Sequence, residues 1–554
     1  MWRIRFGEGD FSCGLGSGAD VFDIAVPGSW NEQLAEAGFM NYVGTAWLEC
    51  RFFVPHGACR LLRFGSADYF AKVWVDGREA GVSRAPMLPF ELDVTGLTTP
   101  GTYATLVVRV TNELPIDGPT QRVTLDDYAA EHRTRDEYVP AVRFDFFPYG
   151  GLSRPVHLVT RPAFAITSYR ITTRCSGVVG VSVEADGGTA VRLCIGEAVA
   201  EAPLVDGKTE LRIELDEPRL WSPASPELYD LRLELLEDGR AVDEVGQKVG
   251  IREILVEGNK LLLNGEPIVL KGFGKHEDSP IRGRGLDLPL LVKDFGLLKW
   301  TGANSVRTSH YPYSEEFYDF ADRSGILVID EVFSVNLDFR KVTDQTLAAH
   351  KDWAVELVER DRNRACVIAW SLANEPGYLA EPEYLEKSGP YWEELFGFVR
   401  KLDPSRPLTH ANVGYVGTSD PAFDHADIVT INRYHGWYSQ PAQLDRAIAA
   451  LRADLDVLAQ RGKPIFVAEF GADALSGQHA TYDQLFTEEY QSDFIAAYWS
   501  AISEHPSCIG GHVWNFADFR TAQHGRRVVL NLKGVFTRGR EPKRAAWTLR
   551  GLWA

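Results

Sequence analysis

Short segments in which apolar and polar residues alternate dominate the first 160 residues of the chain. Alternation with a period of two predicts half-buried strands, and many short strands separated by turns are typical of a sandwich or a jelly roll. We therefore predict a β jelly roll over residues 1–160. The candidate strands are Trp47–Phe53, Leu61–Phe64, a run from Ala71 that ends in the hairpin signal Asp76 and Gly77, and Leu106–Val110.

The alternation continues over residues 161–256, in a smaller unit with Gly-rich turns. This length and spacing predict an immunoglobulin-like β-sandwich. Between the two units, residues 115–140 carry charged and turn residues instead, which predicts a long loop. The candidate strands of the second unit are Ile166–Thr173, Gly180–Glu184, Ala190–Gly196, Thr209–Leu215 and Tyr229–Leu235.

The pattern changes over residues 257–554, where eight apolar runs alternate with amphipathic stretches, as expected of a (β/α)8 TIM barrel. The rival fold, a doubly wound sheet, usually has a Gly-rich phosphate loop. Gly283 and Gly285 follow a strand, but Leu288 occupies the place of the third glycine, so we interpret them as a turn. The runs begin at Ile268, Asn304, Ile326, Val367, Leu408, Ile428, Ile465 and Gly510. The predicted helices are Pro289–Thr301, Ser314–Ser324, Leu347–Asn363, Tyr391–Leu402, Pro441–Gln460 and Tyr482–Glu504.

Size and charge limit the possible partners. The chain has 554 residues, whereas single cores stop growing at roughly 250–300, so several domains are expected. A net charge of −19 argues against nucleic-acid and membrane partners, and an anionic substrate would need cations local to its pocket. Seven scattered cysteines and an N-terminus without a signal-peptide pattern predict a cytoplasmic protein. We also expect a homo-oligomer that uses no cofactor.

Polar side chains end seven of the eight apolar runs of the predicted barrel. Active sites of TIM barrels form where the strands end, so this placement predicts an active site at the barrel mouth. Strand ends are often polar in any protein, but seven such endings exceed what that tendency explains. The endings are Lys275–Asp278, Arg307–Tyr311, Asp330–Glu331, Ser371–Pro376, Asn432–Tyr434, Glu469 and Trp514–Phe516.

Two glutamates at these ends are candidate catalytic residues. Glu375 closes the fourth run and Glu469 closes the seventh, on strands that face each other across a barrel of eight. Glycoside hydrolysis needs one carboxylic acid to protonate the leaving oxygen and a second carboxylate at the anomeric carbon. A lone glutamate at a strand end is more often a salt-bridge partner, but this pair predicts a glycosidase.

A metalloenzyme is an alternative, because histidines and acids lie near the predicted mouth. No H-E-x-x-H or similar ligand spacing occurs, so we expect buried, hydrogen-bonded histidines and no metal. The residues concerned are His276, Glu277, His310, Asp330 and His435.

Several segments resemble glycoside hydrolase family 2, which includes β-galactosidases, β-mannosidases and β-glucuronidases. The resemblance spans nearly the whole chain and implies the same domain order: jelly roll, immunoglobulin-like sandwich and TIM barrel. It is carried by Val26–Asn31, Asn41–Gly44, Gly272–Glu277, Arg307–Pro312, Ser371–Pro376 and Trp514–Phe519.

The resemblance implies roles for individual residues. Glu375, after an asparagine, would be the acid/base and Glu469 the nucleophile of a retaining enzyme. Asn374 would bind the sugar 2-hydroxyl, and Tyr434 would donate a hydrogen bond to the nucleophile. The matching segments also place further residues in the substrate pocket, namely His276, Asn432, Tyr438 and Trp514.

The segment Asn531-Leu532-Lys533 resembles the Asn-x-Lys motif of the β-glucuronidases within this family. Lys533 and the Asn531 amide would bind the carboxylate at C6 of a glucuronide, which suits a point charge combined with directed donors. Arg527 matches a further basic residue of that subgroup, and Asp145 matches a site residue supplied by the jelly roll. Alone, Asn-x-Lys is a weak pattern, and a loop lysine is usually solvated.

Other functions stay open at this stage. A β-galacturonide differs from a glucuronide only at C4, so a β-galacturonidase is possible, as are a β-galactosidase and a non-catalytic sugar-binding protein on a degenerate barrel. The chain departs from the family at Arg84–Pro86, where relatives often carry a Gly-Gly pair, and at Phe470, where Tyr is common. The segment Ser334–His350 is short, which predicts an open aglycone side.

Overall fold

The computed structural model describes residues 1–123, 139–377, 382–525 and 527–554. Most of the predicted loop over 115–140 lies outside these ranges, and its central part is therefore not tested. The described parts form two β-sandwich units followed by a closed barrel.

The first unit contains eleven strands and one short helix. The strands are β1 Trp2–Phe6, β2 Val21–Ile24, β3 Gly28–Ser29, β4 Thr45–Phe53, β5 Cys59–Phe64, β6 Phe70–Val75, β7 Arg78–Val82, β8 Phe90–Asp93, β9 Tyr103–Thr111, β10 Gly151–Leu152 and β11 Val156–Arg161, and helix α1 is Trp30–Gln33. Turns of 3-10 or π type cover Ala35–Phe39 and Thr95–Leu97.

An antiparallel sheet in the order β2-β1-β4-β9-β6-β7 shares a core with the sheet β11-β5-β8. Leu48, Phe64 and Val108 are buried in that core, as period-two alternation requires. The predicted hairpin is confirmed, since Asp76 and Gly77 both have positive φ between β6 and β7. The two-layered sandwich is therefore present, whereas the more specific label of jelly roll stays a prediction.

The second unit is a seven-stranded sandwich. Its strands are β12 Ala165–Thr173, β13 Val178–Asp186, β14 Ala190–Ile195, β15 Ala198–Pro203, β16 Lys208–Glu214, β17 Tyr229–Glu237 and β18 Arg240–Val249. They form the sheets β12-β13-β16 and β15-β14-β17-β18 around one core. The sequence pattern missed β15 and β18, because both are edge strands with charged side chains and little buried apolar surface.

The third unit is a closed, parallel, eight-stranded barrel, which confirms the predicted TIM barrel. A small sheet precedes it, and a short strand pair follows it. The small sheet is β19 Ile254–Glu257, β20 Lys260–Leu263 and β21 Glu266–Pro267. The barrel strands are β22 Leu270–Gly274, β23 Ser305–Arg307, β24 Leu327–Glu331, β25 Val367–Asn374, β26 Leu408–Asn412, β27 Val429–Asn432, β28 Ile465–Phe470 and β29 Cys508–Val513, and the pair is β30 Phe519–Arg520 and β31 Leu530–Asn531.

In the described part of the barrel region, all six predicted helices are present with shifted ends, and one further helix was not predicted. They are α2 Leu288–Thr301, α3 Glu315–Ser324, α4 Asp344–Asp361, α5 Pro382–Leu402, α6 Leu444–Ala459, α7 Glu488–Glu504 and the additional α8 Arg544–Trp553; a 3-10 turn covers Pro421–Asp424.

The shifted helix ends have local causes. The predicted start of α7 at Tyr482 was too early, because the Thr487 hydroxyl caps the helix by accepting from the Tyr490 amide. The predicted start of α5 at Tyr391 was too late, because the helix begins at Pro382 and continues through Pro390. Helix α8 was missed because its first turn follows Lys543, which makes no side-chain cap. The limits predicted for the three domains, 1–160, 161–256 and 257–554, stay predictions.

Candidate active site

The two predicted catalytic glutamates lie at the carboxyl ends of opposing barrel strands. Glu469 is the fifth residue of β28, and Glu375 directly follows β25. Glu375 has φ 50°, a left-handed backbone conformation that is uncommon for a residue with a side chain. Such conformations persist where the surrounding structure determines them, and they are enriched at functional sites.

Glu469 accepts hydrogen bonds from two side chains, the buried Arg307 and the partly buried Tyr434. Arg307 Nη2 donates to Oε1, and the Tyr434 hydroxyl donates to Oε2 over 2.7 Å. Hydrogen bonds to a charged group are stronger and more directional than neutral ones. They fix both oxygens of the Glu469 carboxylate at the centre of the mouth.

Arg307 also joins Glu469 to a second carboxylate, that of Glu331. Its Nη1 donates to both Glu331 oxygens, over 3.0 and 2.7 Å. Burial alone would raise the pKa of Glu331, but Arg307 and His310 lower it to about 2. One guanidinium is therefore shared by two carboxylates. We call Arg307, Glu331, Glu375 and Glu469 the glutamate cluster.

Glu375 has a different environment from Glu469. It accepts a hydrogen bond from Asn432 Nδ2 over 3.0 Å. Burial, followed by the negative charge of Glu469, raises the pKa of Glu375 to about 8. Glu375 therefore carries its proton at neutral pH, which is the state required of a general acid.

The two predicted asparagines lie beside this pair. Asn432 Nδ2 also contacts Asn374 Oδ1 over 3.3 Å, and Arg307 Nη1 approaches the same oxygen at 3.4 Å. The second polar atom of the Asn432 side chain, Oδ1, is buried and has no hydrogen-bond partner. The asparagines thus connect Glu375 to Arg307.

Aromatic rings form one wall of the mouth. Trp514 stacks on His310 with ring centroids 5.0 Å apart, and His276 meets Trp514 edge-on at 5.3 Å. His276 Nδ1 pairs with the Tyr311 hydroxyl, whereas its buried Nε2 has no partner. Burial, with nearby cations, holds the pKa of His276 well below its usual value, so the ring is neutral. The two residues predicted for the pocket, His276 and Trp514, are therefore in one wall.

The basic residues predicted from the Asn-x-Lys segment meet at one place. Lys533, which is 1% exposed, donates to the Tyr438 hydroxyl over 3.1 Å, and Arg527 Nη2 donates to the same oxygen over 3.2 Å. Lys533 Nζ also lies 4.9 Å from the ring centroids of Trp437 and Tyr438. We call Arg527, Asn531 and Lys533 the basic cluster.

Two carboxylates compensate the cations of the basic cluster. Asp145, from the segment between β9 and β10, accepts from Arg527 and from Asn531 Nδ2, the latter over 2.6 Å. Asp473 forms an ion pair with Lys533 and lies 3.5 Å from Arg527. Although Asp473 is buried, both cations lower its pKa, so it is ionised. Two positive and two negative groups therefore balance in this part of the mouth.

Two buried side chains hold the segment that carries Lys533. Gln491 Nε2 donates to the carbonyls of Ala472, Lys533 and Gly534 over 2.9, 3.3 and 3.2 Å. Lys543 Nζ donates to the carbonyls of Ala474 and Leu532 over 2.8 and 2.9 Å, and it pairs with Asp518. Each of these two side chains connects the segment that follows β28 to the segment around Lys533.

Sequence reasoning missed several residues of this arrangement. Arg307, His310 and Glu331 were noticed at strand ends but received no role. Asp473 follows Glu469 by four residues, a spacing that could have been noticed, whereas Gln491 and Lys543 carry no signal in the sequence. The structural role of Gln491 and Lys543 depends on which chain segments come together in the folded protein.

The described residues contain no group of three or more His, Cys, Asp or Glu side chains that could hold a metal ion. In the same part of the chain, no helix combines the length and the apolar character needed to cross a bilayer. The cytoplasmic location and the homo-oligomeric state stay predictions.

Comparison with known proteins identifies the family. The family model described as "Glycosyl hydrolases family 2, TIM barrel domain" matches residues 254–554, and the one described as "Glycosyl hydrolases family 2" matches residues 160–252. The chain belongs to glycoside hydrolase family 2. It is therefore a glycoside hydrolase, and the resemblance predicted from the sequence is confirmed.

Similar members of family 2 match nearly the whole chain. The beta-glucuronidase of Paenibacillus borealis is 39% identical over an alignment of 557 positions, which covers 96% of this chain and 92% of that protein. The Homo sapiens beta-glucuronidase is 35% identical over 578 residues, with coverage of 99% and 87%.

Solved family 2 structures match equally well. The Bifidobacterium dentium beta-glucuronidase complexed with coumarin-3-O-glucuronide has a TM-score of 0.92 at 34% identity, covering 100% of this chain and 95% of that one. The Ruminococcus gnavus β-glucuronidase in complex with C6-substituted uronic isofagomine has a TM-score of 0.90 at 32% identity, with coverage of 100% and 96%.

Proposed function

We propose that this family 2 enzyme is a retaining, exo-acting β-glycosidase that hydrolyses β-D-glucuronides. The observation that carries the proposal is the position of the basic cluster in the same mouth as Glu375 and Glu469. A buried lysine, an arginine and an asparagine amide form a set of donors suited to a carboxylate on the sugar. The similar proteins named above are beta-glucuronidases, which supports the same substrate class.

The first half of the reaction forms a covalent intermediate. The Glu469 carboxylate attacks the anomeric carbon, while Glu375 gives its proton to the glycosidic oxygen and the aglycone leaves as an alcohol. The pKa of about 8 for Glu375 supports its role as the acid. Arg307 and Tyr434 orient the nucleophile, and Asn374 is assigned to the sugar 2-hydroxyl.

The second half releases the sugar. Glu375, now a carboxylate, takes a proton from water while the water oxygen attacks the anomeric carbon, and the bond to Glu469 breaks. Glucuronic acid leaves with its original β configuration, and both glutamates return to their starting states. A carboxyl separation of about 5–5.5 Å is expected for this mechanism.

Specificity is assigned to the charge at C6. Lys533, Asn531 and Arg527 would contact the substrate carboxylate, and Asp145 and Asp473 would hold these donors in place. Tyr438, which is 57% exposed, would close the outer side of this pocket. His276 and Trp514 would form the wall beside the sugar ring, and Asn432 would orient Glu375.

The test is a comparison of aryl β-glucuronide, β-galacturonide and β-galactoside as substrates of the purified protein. We expect the glucuronide to have the highest kcat/KM, and proton NMR of the first product to show the β anomer. A preference for the galacturonide would support the contact to the C6 carboxylate but would show that the enzyme selects the opposite configuration at C4. A preference for the galactoside would refute the assignment of the basic cluster to substrate binding. An initial α anomer would refute retention.

A further inference from the structure

A cleft of about 780 Å3 lies at the end of the barrel opposite the mouth. Its walls are β12, β13 and β16 of the second sandwich, the linker 249–255, and the segments 362–365 and 404–406. These last two segments precede β25 and β26, so they lie at the amino ends of the barrel strands. The cleft is thus separate from the glutamate and basic clusters.

The cleft is lined by an unusual excess of positive charge. Seven arginines and two glutamates line it, whereas the whole chain has 58 Lys and Arg against 77 Asp and Glu. Some of these arginines have acidic partners. Arg406 and Arg170 both contact Asp403, over 2.7 and 3.4 Å, and Arg174 pairs with Glu253 over 2.9 Å.

Two arginines of the cleft differ from the others, because no carboxylate of the described residues lies within ion-pair distance of either one. Arg252 is 7% exposed and donates only to backbone carbonyls, those of Ala365, Arg364 and Val367. Burial, followed by the nearby Arg406, lowers its pKa to about 9, although Asp403 and Asp322 act in the opposite direction.

Arg362 is the second such residue. Its Nη2 reaches Ser168 Oγ over 3.3 Å and the Tyr169 carbonyl over 3.5 Å, while its Nε is buried and has no hydrogen-bond partner. A buried donor without a partner costs free energy, and an uncompensated buried charge costs more. An anion in the cleft would relieve both costs, at Arg252 and at Arg362.

The lining also indicates the kind of anion. Guanidinium groups bind phosphate and carboxylate through paired hydrogen bonds, and several of them together suit a multiply charged oxyanion. Among the described residues, no aromatic side chain lines the cleft, so they offer no stacking surface for a nucleobase or a sugar ring. The volume lies within the roughly 300–1,000 Å3 of small-molecule sites. We propose that this cleft binds a compact anion of the diphosphate type.

Such an anion would join two units of the protein. Arg170 and Arg212 come from the second sandwich, whereas Arg362 and Arg406 come from the barrel. A ligand that contacts both sides binds only the assembled state, and it therefore stabilises the folded chain in proportion to the logarithm of its concentration. The site is thus a candidate for ligand-dependent stabilisation, remote from hydrolysis.

The experiment is isothermal titration of the full chain with inorganic pyrophosphate in magnesium-free buffer at two salt concentrations. Parallel titrations use inorganic phosphate and ADP. We expect one pyrophosphate per chain, weaker binding at higher salt, and weaker binding of phosphate. ADP should bind no more tightly than pyrophosphate, since the adenine finds no ring to stack on; tighter binding of ADP would overturn the diphosphate assignment in favour of a nucleotide.

Variants locate the site. Arg362→Met should weaken pyrophosphate binding by at least about ten-fold, because a hydrogen-bonded charge is lost. Arg212→Met removes a cation that is 68% exposed at the cleft, and we expect a smaller loss with an intact fold. Arg240→Met, at an exposed position of the same sandwich outside the cleft, is the matched control and should bind like wild type.

The proposal is overturned if pyrophosphate does not bind, or if Arg362→Met and Arg240→Met bind equally well. It is also overturned if glucuronic acid displaces pyrophosphate, because the bound anion would then occupy the mouth. Circular dichroism and thermal unfolding of all three variants report their folding. If Arg362→Met does not fold, the comparison of Arg212→Met with Arg240→Met becomes the test. Equal affinities of these two variants for pyrophosphate would overturn the proposal. Failure of the proposed glucuronide activity would leave these binding results unaffected.

Discussion

The glutamate cluster and the basic cluster both hold ionised groups in the barrel mouth, but they are built differently. The glutamate cluster uses residues at or directly after the ends of β23, β24, β25 and β28, so the barrel itself fixes their positions. The basic cluster is on the connection that follows β29, and its compensating Asp145 comes from the N-terminal part of the chain. Under the proposed function, the catalytic residues are therefore on the barrel scaffold, and the residues that recognise the substrate are on segments attached to it.

The two clusters also differ in their charge balance. In the glutamate cluster, Arg307 faces Glu331 and Glu469, and burial, followed by the negative charge of Glu469, raises the pKa of Glu375. In the basic cluster, Lys533 and Arg527 are balanced by Asp145 and Asp473. Burial beside a second carboxylate thus suits Glu375 to the proposed role of general acid, whereas the balanced charges of the basic cluster suit the proposed binding of one additional carboxylate.

Removal of the proposed nucleophile is the largest expected effect. Glu469→Ala should lower kcat/KM by more than about 10⁴-fold on every substrate, which exceeds the contribution of general acid–base catalysis alone. Steady-state kinetics with an aryl glucuronide and a neutral aryl glycoside measure this loss. Added azide should partly restore turnover and give the inverted glycosyl azide. Activity near that of wild type would exclude Glu469 as the nucleophile.

Removal of the proposed acid should have a smaller effect that depends on the leaving group. Glu375→Gln should lower kcat/KM by about 10²–10⁴-fold for poor leaving groups, and much less for an acidic nitrophenol that needs no proton. The exposed Glu386→Gln is the control. Equal losses for both kinds of leaving group would contradict the assignment.

The same residue sets the alkaline limit of activity. A carboxylic acid donates its proton only below its pKa, which is raised to about 8 for Glu375. In the wild type, kcat/KM for poor leaving groups should therefore fall as the pH rises through about 8, by about ten-fold per unit above it. This alkaline limb should be absent in Glu375→Gln. A wild-type profile of kcat/KM that stays level up to pH 9.5 would contradict the role of Glu375 as the general acid.

The basic cluster predicts a loss that depends on substrate charge. Truncating one charged partner of a buried pair costs about 2–5 kcal/mol, so Lys533→Ala should lower glucuronide kcat/KM roughly thirty-fold to several thousand-fold. The kcat/KM for a neutral glycoside should fall far less. The control is Lys208→Ala at an exposed position, which should change the activation free energy for either substrate by less than about 0.5 kcal/mol.

Lys533→Ala also leaves Asp473 without its main partner, and a double variant separates the two effects. Lys533→Ala/Asp473→Asn restores the charge balance but not the contact to the substrate. If the glucuronide-specific loss persists in the double variant, it reports the contact with the C6 carboxylate. Recovery of glucuronide activity would instead show that Lys533 acts only by neutralising Asp473.

The smallest predicted effect tests the orientation of the nucleophile. Tyr434→Phe removes a hydrogen bond of 2.7 Å to Glu469, which is worth about 1.5–3 kcal/mol for a charged acceptor. We expect kcat/KM to fall roughly ten- to 150-fold, and equally for charged and neutral substrates. The exposed Tyr482→Phe is the control. A loss confined to glucuronides would place Tyr434 with the basic cluster, which lies close by, since Lys533 Nζ is 5.9 Å from its ring.

The sequence by itself determined the fold class and the candidate glutamates. Periods of two and of three to four residues are local consequences of strand and helix geometry, so they are visible without any tertiary contact. The same holds for Glu375 and Glu469, because the end of a strand can be recognised in the sequence and all barrel strands end on one face. The edge strands β15 and β18 and helix α8 lacked such local signals.

Only the tertiary structure decided which charges meet. Asp145 and Arg527 are 382 residues apart, and no local pattern predicts their contact. The pairing of Lys533 with Asp473, the shared position of Arg307 between Glu331 and Glu469, and the cleft at the amino end of the barrel all depend on how segments pack. Electrostatic energies depend on distance and burial in space, so protonation states and charge balance are properties of the folded chain.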